Sequence, residues 1–232
     1  MISRELIDFL IVSGCNAAII AGKEIMKIYH ASEQFDVNIN ANNTVVTEAD
    51  RVAHETIKKS LTSTRIPIMS EEGRNILYEE RYSWDLYWLV DPLDGTREFI
   101  QKNDEFVVCI ALMQNNKPLL GVIYIPAEDK LYFSDPDRGA FKIENCNTLP
   151  ESHGIYDLFK VAKKLDCIKE QDESAVRIVV TRSHINDSTN DLINLIKKNN
   201  TNVEVINCGS CKKFCMIADG TADVYFRTTP LF

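Results

Sequence analysis

The sequence predicts a mixed fold, α+β in its first part and α/β in its last, and three observations carry that reading. Two helical periodicities open the chain, a run of strand-like segments follows, and strand and helix patterns then alternate to the end. From Leu6 the apolar residues Phe9, Leu10, Ala17, Ala21, Ile25 and Ile28 recur at three- and four-residue steps, so the first element is an amphipathic helix. A second helix follows Asp50, with Val52, Ala53, Ile57 and Leu61 on one face. The period then changes. DLYWLV, EFVVCIALM, LLGVIYI, KLYFS and AFKI read as strands separated by turn signals such as NNKP and DPDRG, which predicts an antiparallel meander. Asn145–Ser174 is polar and reads as a connecting excursion with one helix near 155–165. After it come strand RIVVT, a helix near 187–198, strand VEVI, a helix near 210–218 and strand ADVYF. The expected division is an N-terminal α+β domain over 1–145, a connection over 146–175 and a C-terminal α/β domain over 176–232.

Composition limits the function. A chain of 232 residues, 45% hydrophobic, can bury a substantial core. A net charge of −8 excludes nonspecific binding to a nucleic-acid backbone, which needs clustered positive charge. The seven cysteines are odd in number and scattered, which predicts reduced thiols and a cytoplasmic protein. The most apolar stretch, FLIVSGCNAAIIAG, is 14 residues long, against about 20 for a bilayer span. Glu5 and Asp8 do not suit a signal-peptide leader, so the chain is read as soluble, with no transmembrane segment.

The chemistry concentrates in WLVDPLDGTREFI, residues 88–100. An apolar strand that meets Asp-Pro is expected to turn, because proline fixes φ and lacks an N–H. Asp91 then stands at the strand end and Asp94 on the turn beyond it. PIMSEEG puts Glu71 and Glu72 after another short apolar run, and TVVTEAD puts Asp50 where a helix begins. Asp91, Asp94 and a glutamate make an oxygen-rich site suited to Mg²⁺, which binds a few carboxylates and keeps waters and phosphate oxygens. No histidine lies within these motifs, which argues against zinc or non-haem iron. Gly95 and Thr96 start a helix whose free N–H groups can hold a phosphate. Any one of these acids is better explained as a helix cap or solvated edge. The combination is not: D-P-x-D-G-T arises by chance in a chain of this length with probability on the order of 10⁻⁴.

WLVDPLDGT, with SEEG and VVTEAD upstream, resembles the inositol monophosphatase superfamily of Mg²⁺-dependent, lithium-sensitive phosphatases. DGTREFI, LLGVIYIP, VVTRSH and GSCKKFC, in that order, are similar to its CysQ-type 3'(2'),5'-bisphosphate nucleotidase branch. The resemblance implies a layered αβαβα sandwich of the inositol monophosphatase/fructose bisphosphatase type. It also implies a Mg²⁺-dependent phosphomonoesterase removing the 3'-phosphate of 3'-phosphoadenosine 5'-phosphate in the cytoplasm, a step linked to sulfur metabolism. Peripheral association with the inner membrane is compatible with it. An inositol or sugar phosphate is the rival substrate.

Residue by residue, the resemblance gives Glu71, Asp91 and the Leu93 carbonyl to one Mg²⁺, and Asp91 with Asp94 to a second. Thr96, with Glu71 or Asp50, positions and deprotonates the attacking water, and the Gly95–Thr96 amides cradle the phosphate. Thr181, Ser183 and His184 of VVTRSH, with Gly209 and Lys213 of GSCKKFC, match nucleotide-binding positions, Lys213 facing the second phosphate. His184 taken alone reads as a surface residue. Cys208, Cys211 and Cys215 share helical spacing and read as core packing rather than a redox pair or zinc site. Family members continue past the equivalent of ADVYF with a Trp-Asp pair that completes the second metal site. The chain is therefore expected to be C-terminally truncated, a fragment or an inactive remnant, with its second Mg²⁺ site incomplete.

Overall fold

The computed structural model describes residues 2–31, 37–39, 45–150, 154–165, 175–182, 186–199 and 202–228. It divides into two compact units, Met1–Lys164 and Leu165–Phe232. The first begins with α1 (Arg4–Ala31), the antiparallel pair β1 (Val37–Ile39) and β2 (Val45–Thr47), and α2 (Glu48–Leu61). There follow β3 (Ile68–Ser70), the short α3 (Tyr78–Arg81), β4 (Leu86–Asp94) and the single-turn α4 (Thr96–Ile100). The meander is β5 (Val107–Gln114), β6 (Lys117–Ile125), β7 (Lys130–Asp135) and β8 (Gly139–Glu144), then α5 (Ile155–Val161) and β9 (Lys163–Lys164). Strands β3 to β9 form one seven-stranded sheet in sequential order, antiparallel except for the parallel β3–β4 pair.

α1 and α2 pack against each other and onto this sheet. α1 is long and apolar enough to cross a membrane by length and composition. Its buried side, through Leu10, Ile11, Ala18, Ala21 and Ile25, joins Trp88, Val122 and Tyr124 of the sheet in one core. Phe9, expected on that side, is 45% exposed. At 100° per residue the inward stripe is centred on Leu10, Gly14 and Ala21 rather than on Phe9. Small residues let the helix approach closely: a Cβ at Gly22 would stand 2.3 Å from the Tyr124 ring.

The Asp-Pro step does not turn the chain out of the sheet. β4 runs through Asp91, Pro92, Leu93 and Asp94, with Asp91 opposite Cys109 and Asp94 opposite Val107. Three steps on β4 thus face two on β5. This is a bulge, and proline, which cannot donate to the ladder, falls where the ladder is already interrupted. α5 lies inside the expected excursion and places Leu158 in the first unit's core, with Phe159 against Phe133 and Phe141.

The second unit holds β10 (Val176–Thr181), α6 (Asp187–Asn199), β11 (Val203–Cys208), α7 (Lys212–Ala218) and β12 (Val224–Tyr225). Its parallel sheet has the order β11-β10-β12. Ile178 and Val180 pack with Ile193, while Val179 packs with Cys208 and Ala222. Both faces of β10 are therefore covered, as parallel strands require. Arg177 is paired with Asp223, its Nε and backbone amide both donating to Oδ2 at 3.0 and 2.7 Å. Only Cys215 of the three clustered cysteines lies in a helix. Cys208 ends β11, and Ser210, at φ 49°, turns the backbone before Cys211. Cys208 and Cys215 are nonetheless buried.

Candidate active site

Asp50 sits at the third position of α2. Thr47 caps the helix: its hydroxyl accepts from the Ala49 amide at 3.2 Å. The Thr47 amide and hydroxyl both donate to Asp50 Oδ2, at 2.7 and 2.6 Å. This is a capping box, and it leaves Oδ1 to face elsewhere. The Thr96 hydroxyl donates to that Oδ1 at 3.1 Å and also lies 3.3 Å from the Leu93 carbonyl oxygen. Asp50 is 2% exposed. Burial pushes its carboxyl above the ordinary value, against the opposing pull of the bonds from Thr47 and Thr96.

Three acids approach from the sheet. Parallel pairing sets Ser70 beside Val90, and the Glu71 amide donates to the Val90 carbonyl at 3.0 Å. Glu71 thereby leaves β3 next to Asp91 on β4. The Leu93 amide donates to Asp91 Oδ1 at 3.2 Å and holds that carboxylate across the bulge. Burial, then the charges of Glu71 and Asp94, push the Asp91 carboxyl up to about 9. Glu72 is likewise raised by burial and by Asp50 and Glu71, with Arg51 pulling the other way. So concentrated a set of carboxylates asks for a proton or a cation. Glu71, Asp91, the Leu93 carbonyl and Asp94 offer hard oxygens, which suit a Mg²⁺-like ion, and Cys109, opposite Asp91, places its sulfur within 4.8 Å of an Asp94 carboxylate oxygen.

Gly95, at φ 96°, takes a left-handed conformation that glycine adopts without strain, and it starts α4 directly after Asp94. The expected helix start at Thr96 is present, and α4 is a single turn.

In the second unit, Thr181 ends β10 opposite Cys208 of β11, and Gly209 follows buried. Ser183 and His184 lie outside the described residues. Lys213 is buried, with its ammonium 3.3 Å from the Cys208 carbonyl oxygen, 2.5 Å from that of Ser210 and 5.7 Å from the Tyr225 ring. Its charge was expected to face a phosphate. The structure engages two of its three donors with the backbone of its own loop.

Sequence reasoning passed over Thr47, His54 and Ser70. His54 Nδ1 lies 2.8 Å from Ser70 Oγ, directly before Glu71. Thr47-x-x-Asp50 has capping-box spacing, a legible signal. His54 falls one turn after Asp50, which marks it only once Asp50 is known to matter.

The profile of the inositol monophosphatase family matches residues 7–231. The chain is 38% identical to the 3'(2'),5'-bisphosphate nucleotidase CysQ of Buchnera aphidicola over 226 residues, 97% of this chain and 76% of that protein. The crystal structure of CysQ from Bacteroides thetaiotaomicron, a bacterial member of the inositol monophosphatase family, superposes with a TM-score of 0.84. It is 38% identical, and the match covers 97% of this chain and 81% of that one. An IMPase/NADP phosphatase complexed with Mg²⁺ and phosphate shares the fold, with a TM-score of 0.63 at 16% identity over 90% of this chain and 71% of that one.

Proposed function

Because the chain belongs to the inositol monophosphatase family, we infer that it is a 3'(2'),5'-bisphosphate nucleotidase, hydrolysing the 3'-phosphate of 3'-phosphoadenosine 5'-phosphate to AMP and phosphate. The observation that carries this reading is the gathering of Glu71, Asp91 and Asp94 in the same unit as the Thr96–Asp50 pair, in a chain 38% identical to CysQ along nearly its whole length.

Mg²⁺ is the ion assigned to the carboxylates, supported by the hard oxygens that Glu71, Asp91, Leu93 and Asp94 offer. Glu71, Asp91 and the Leu93 carbonyl would hold one ion, and Asp91 with Asp94 would supply only part of a second site. When bound, Mg²⁺ supplies charge stabilisation to the attacking and leaving oxygens of an in-line displacement. Thr96 orients the water. Its hydroxyl proton points to Asp50 Oδ1, so an Oγ lone pair accepts from the water, and the water's proton passes through Thr96 to Asp50. Burial raises the proton affinity of Asp50, which suits an acceptor in this role. The Gly95 and Thr96 amides take phosphate oxygens. Nucleotide contacts are assigned to Thr181, Ser183, His184, Gly209 and Lys213.

The test is a comparison of kcat/KM for 3'-phosphoadenosine 5'-phosphate, inositol 1-phosphate and fructose 1,6-bisphosphate, with Mg²⁺ and with a chelator. The bisphosphate nucleotide is expected to lead by about 10²-fold or more, some 3 kcal/mol of transition-state discrimination, and the chelator to abolish turnover. A preference for inositol phosphate would overturn the reading.

A further inference from the structure

We propose that His54 is a positioning residue of this site, acting through Ser70 to fix the turn that carries Glu71. The proposal rests on the reading of Glu71 as a metal ligand given above. His54 follows Asp50 by four residues on α2, so both side chains leave one face of the helix a turn apart. Asp50 reaches Thr96 at the start of α4, and His54 reaches the Ser70 hydroxyl, Nδ1 to Oγ 2.8 Å. Glu55 Oε1 stands 3.6 Å from Nε2. That carboxylate favours the proton on Nε2, which leaves Nδ1 to accept from Ser70. The imidazole side chain is only 14% exposed.

Ser70 is where a weakly anchored strand becomes a turn. β3 has three residues and is the edge of the sheet. Beyond Ser70 the Glu71 amide still reaches Val90, and then the chain folds back, the Gly73 amide donating to the Ser70 carbonyl at 3.0 Å. The turn is tight. A Cβ at Gly73 would lie 3.0 Å from the Ser70 carbonyl oxygen and 3.6 Å from His54 Cε1. A side-chain bond from α2 at this point fixes where the Glu71 carboxylate begins. One rigid helix thus sets both sides of the chemistry, the proton acceptor through Asp50 and a metal ligand through His54. Outer-shell partners of this kind are worth about 10–100-fold in metal affinity or activity, whereas a histidine that merely fills space contributes only to stability.

The experiment measures Mg²⁺ affinity by calorimetry, and bisphosphate-nucleotide kinetics, on His54→Ala, Ser70→Ala, the double variant and His54→Asn, with thermal melts of each. The pair borders a cavity of about 920 Å³ that Arg51, Glu72 and Arg74 also line. Water can therefore enter where the imidazole is cut back, and the alanine variants are expected to fold. Each single variant should weaken Mg²⁺ binding and lower kcat by about tenfold, and the double should be no worse than either. His54→Asn, which returns an amide near the Nδ1 position, should recover most of both.

Additive losses in the double variant, unchanged Mg²⁺ affinity with only a lowered melting temperature, or no recovery with asparagine would overturn the proposal. Should His54→Ala fail to fold, Ser70→Ala and His54→Asn decide it by the same criteria. A wild type that binds Mg²⁺ without cleaving the nucleotide counts against the substrate reading alone, and the calorimetry still decides the role of His54. A wild type that binds no Mg²⁺ overturns both.

Discussion

The Thr96 hydroxyl donates to Asp50 Oδ1 across 3.1 Å, although 46 positions separate the two residues in the chain. The other oxygen of that carboxylate is held by the Thr47 amide and hydroxyl, so the group cannot rotate away. The carboxylate that closes the helix cap is thus the one proposed to accept the water's proton. Thr96→Ala and Asp50→Asn should each lower kcat by about 10²–10⁴-fold with little change in KM, because the loss falls on proton transfer rather than on binding. Thr47→Ala should cost about 1 kcal/mol of stability through the lost cap and a smaller part of kcat. Steady-state kinetics read all three, and a KM effect that dominated kcat would remove Thr96 and Asp50 from this role.

With Asp91 as a ligand, the proposed Mg²⁺ binding is expected to depend on pH in a definite direction. Its folded value of about 9 lies above the ordinary 3.8. The folded chain therefore keeps a proton that the unfolded chain gives up. The stability this group contributes is complete below about pH 4 and is lost as pH rises towards 9. A divalent cation replaces that proton. Calorimetry at pH 7 in buffers of different ionisation enthalpy should detect release of about one proton per chain on Mg²⁺ binding, with affinity rising between pH 6 and 9. Asp91→Asn should abolish the release and weaken binding by about 10²-fold or more. Unchanged affinity in that variant would refute the assignment.

Arg4 ties the first helix to the meander. Asp135, whose side chain is fully enclosed, accepts from both Arg4 Nη atoms, with Nη1 at 3.0 Å, and from the Asp137 and Arg138 amides at 2.9 and 3.0 Å. Burial alone would raise this carboxyl, and these bonds overcome it and hold the group below its ordinary value. Its contribution is present above about pH 4 and fades as pH falls through the lowered folded value. Arg4→Met should cost about 2 kcal/mol in urea unfolding at pH 7, and progressively less as pH falls below about 4. A loss that does not diminish anywhere in the acid range would mean that packing, not the charge pair, accounts for it.

Lys213→Met separates two roles for one ammonium. If its charge also serves the uncleaved phosphate, KM for the bisphosphate nucleotide should rise about tenfold or more while KM for a monophosphate moves little. Equal increases for both would assign Lys213 solely to the Cys208 and Ser210 carbonyls that it holds.

Much of this architecture was legible in the sequence, because period and punctuation are local. The two opening helices, the meander and the closing strand–helix alternation each follow from residues a few positions apart. The crowding of Asp91, Asp94 and Glu71 was readable from one compact motif and one strand end. What escaped depends on partners distant in sequence. Pro92 implies a turn by its own chemistry, but pairing with β5 keeps β4 in the sheet and makes a bulge. Helical spacing grouped Cys208 with Cys215, yet a left-handed Ser210 puts the first of them on a strand. Phe9 faces out because close packing at Gly14 and Gly22 decides which stripe of α1 turns inward. The His54–Ser70 bond, spanning 16 positions, has no local signature at all.

The central claim is that the Glu71–Asp91–Asp94 carboxylates, loaded with Mg²⁺, direct water at the 3'-phosphate. The most direct measurement is ³¹P NMR of 3'-phosphoadenosine 5'-phosphate incubated with the protein in ¹⁸O-enriched water, with Mg²⁺ and with chelator. The account predicts 5'-AMP and inorganic phosphate, the ¹⁸O isotope shift on the inorganic phosphate alone, and no reaction without the metal. Label in the nucleotide, 3'-AMP as the product, or turnover that survives chelation would contradict it.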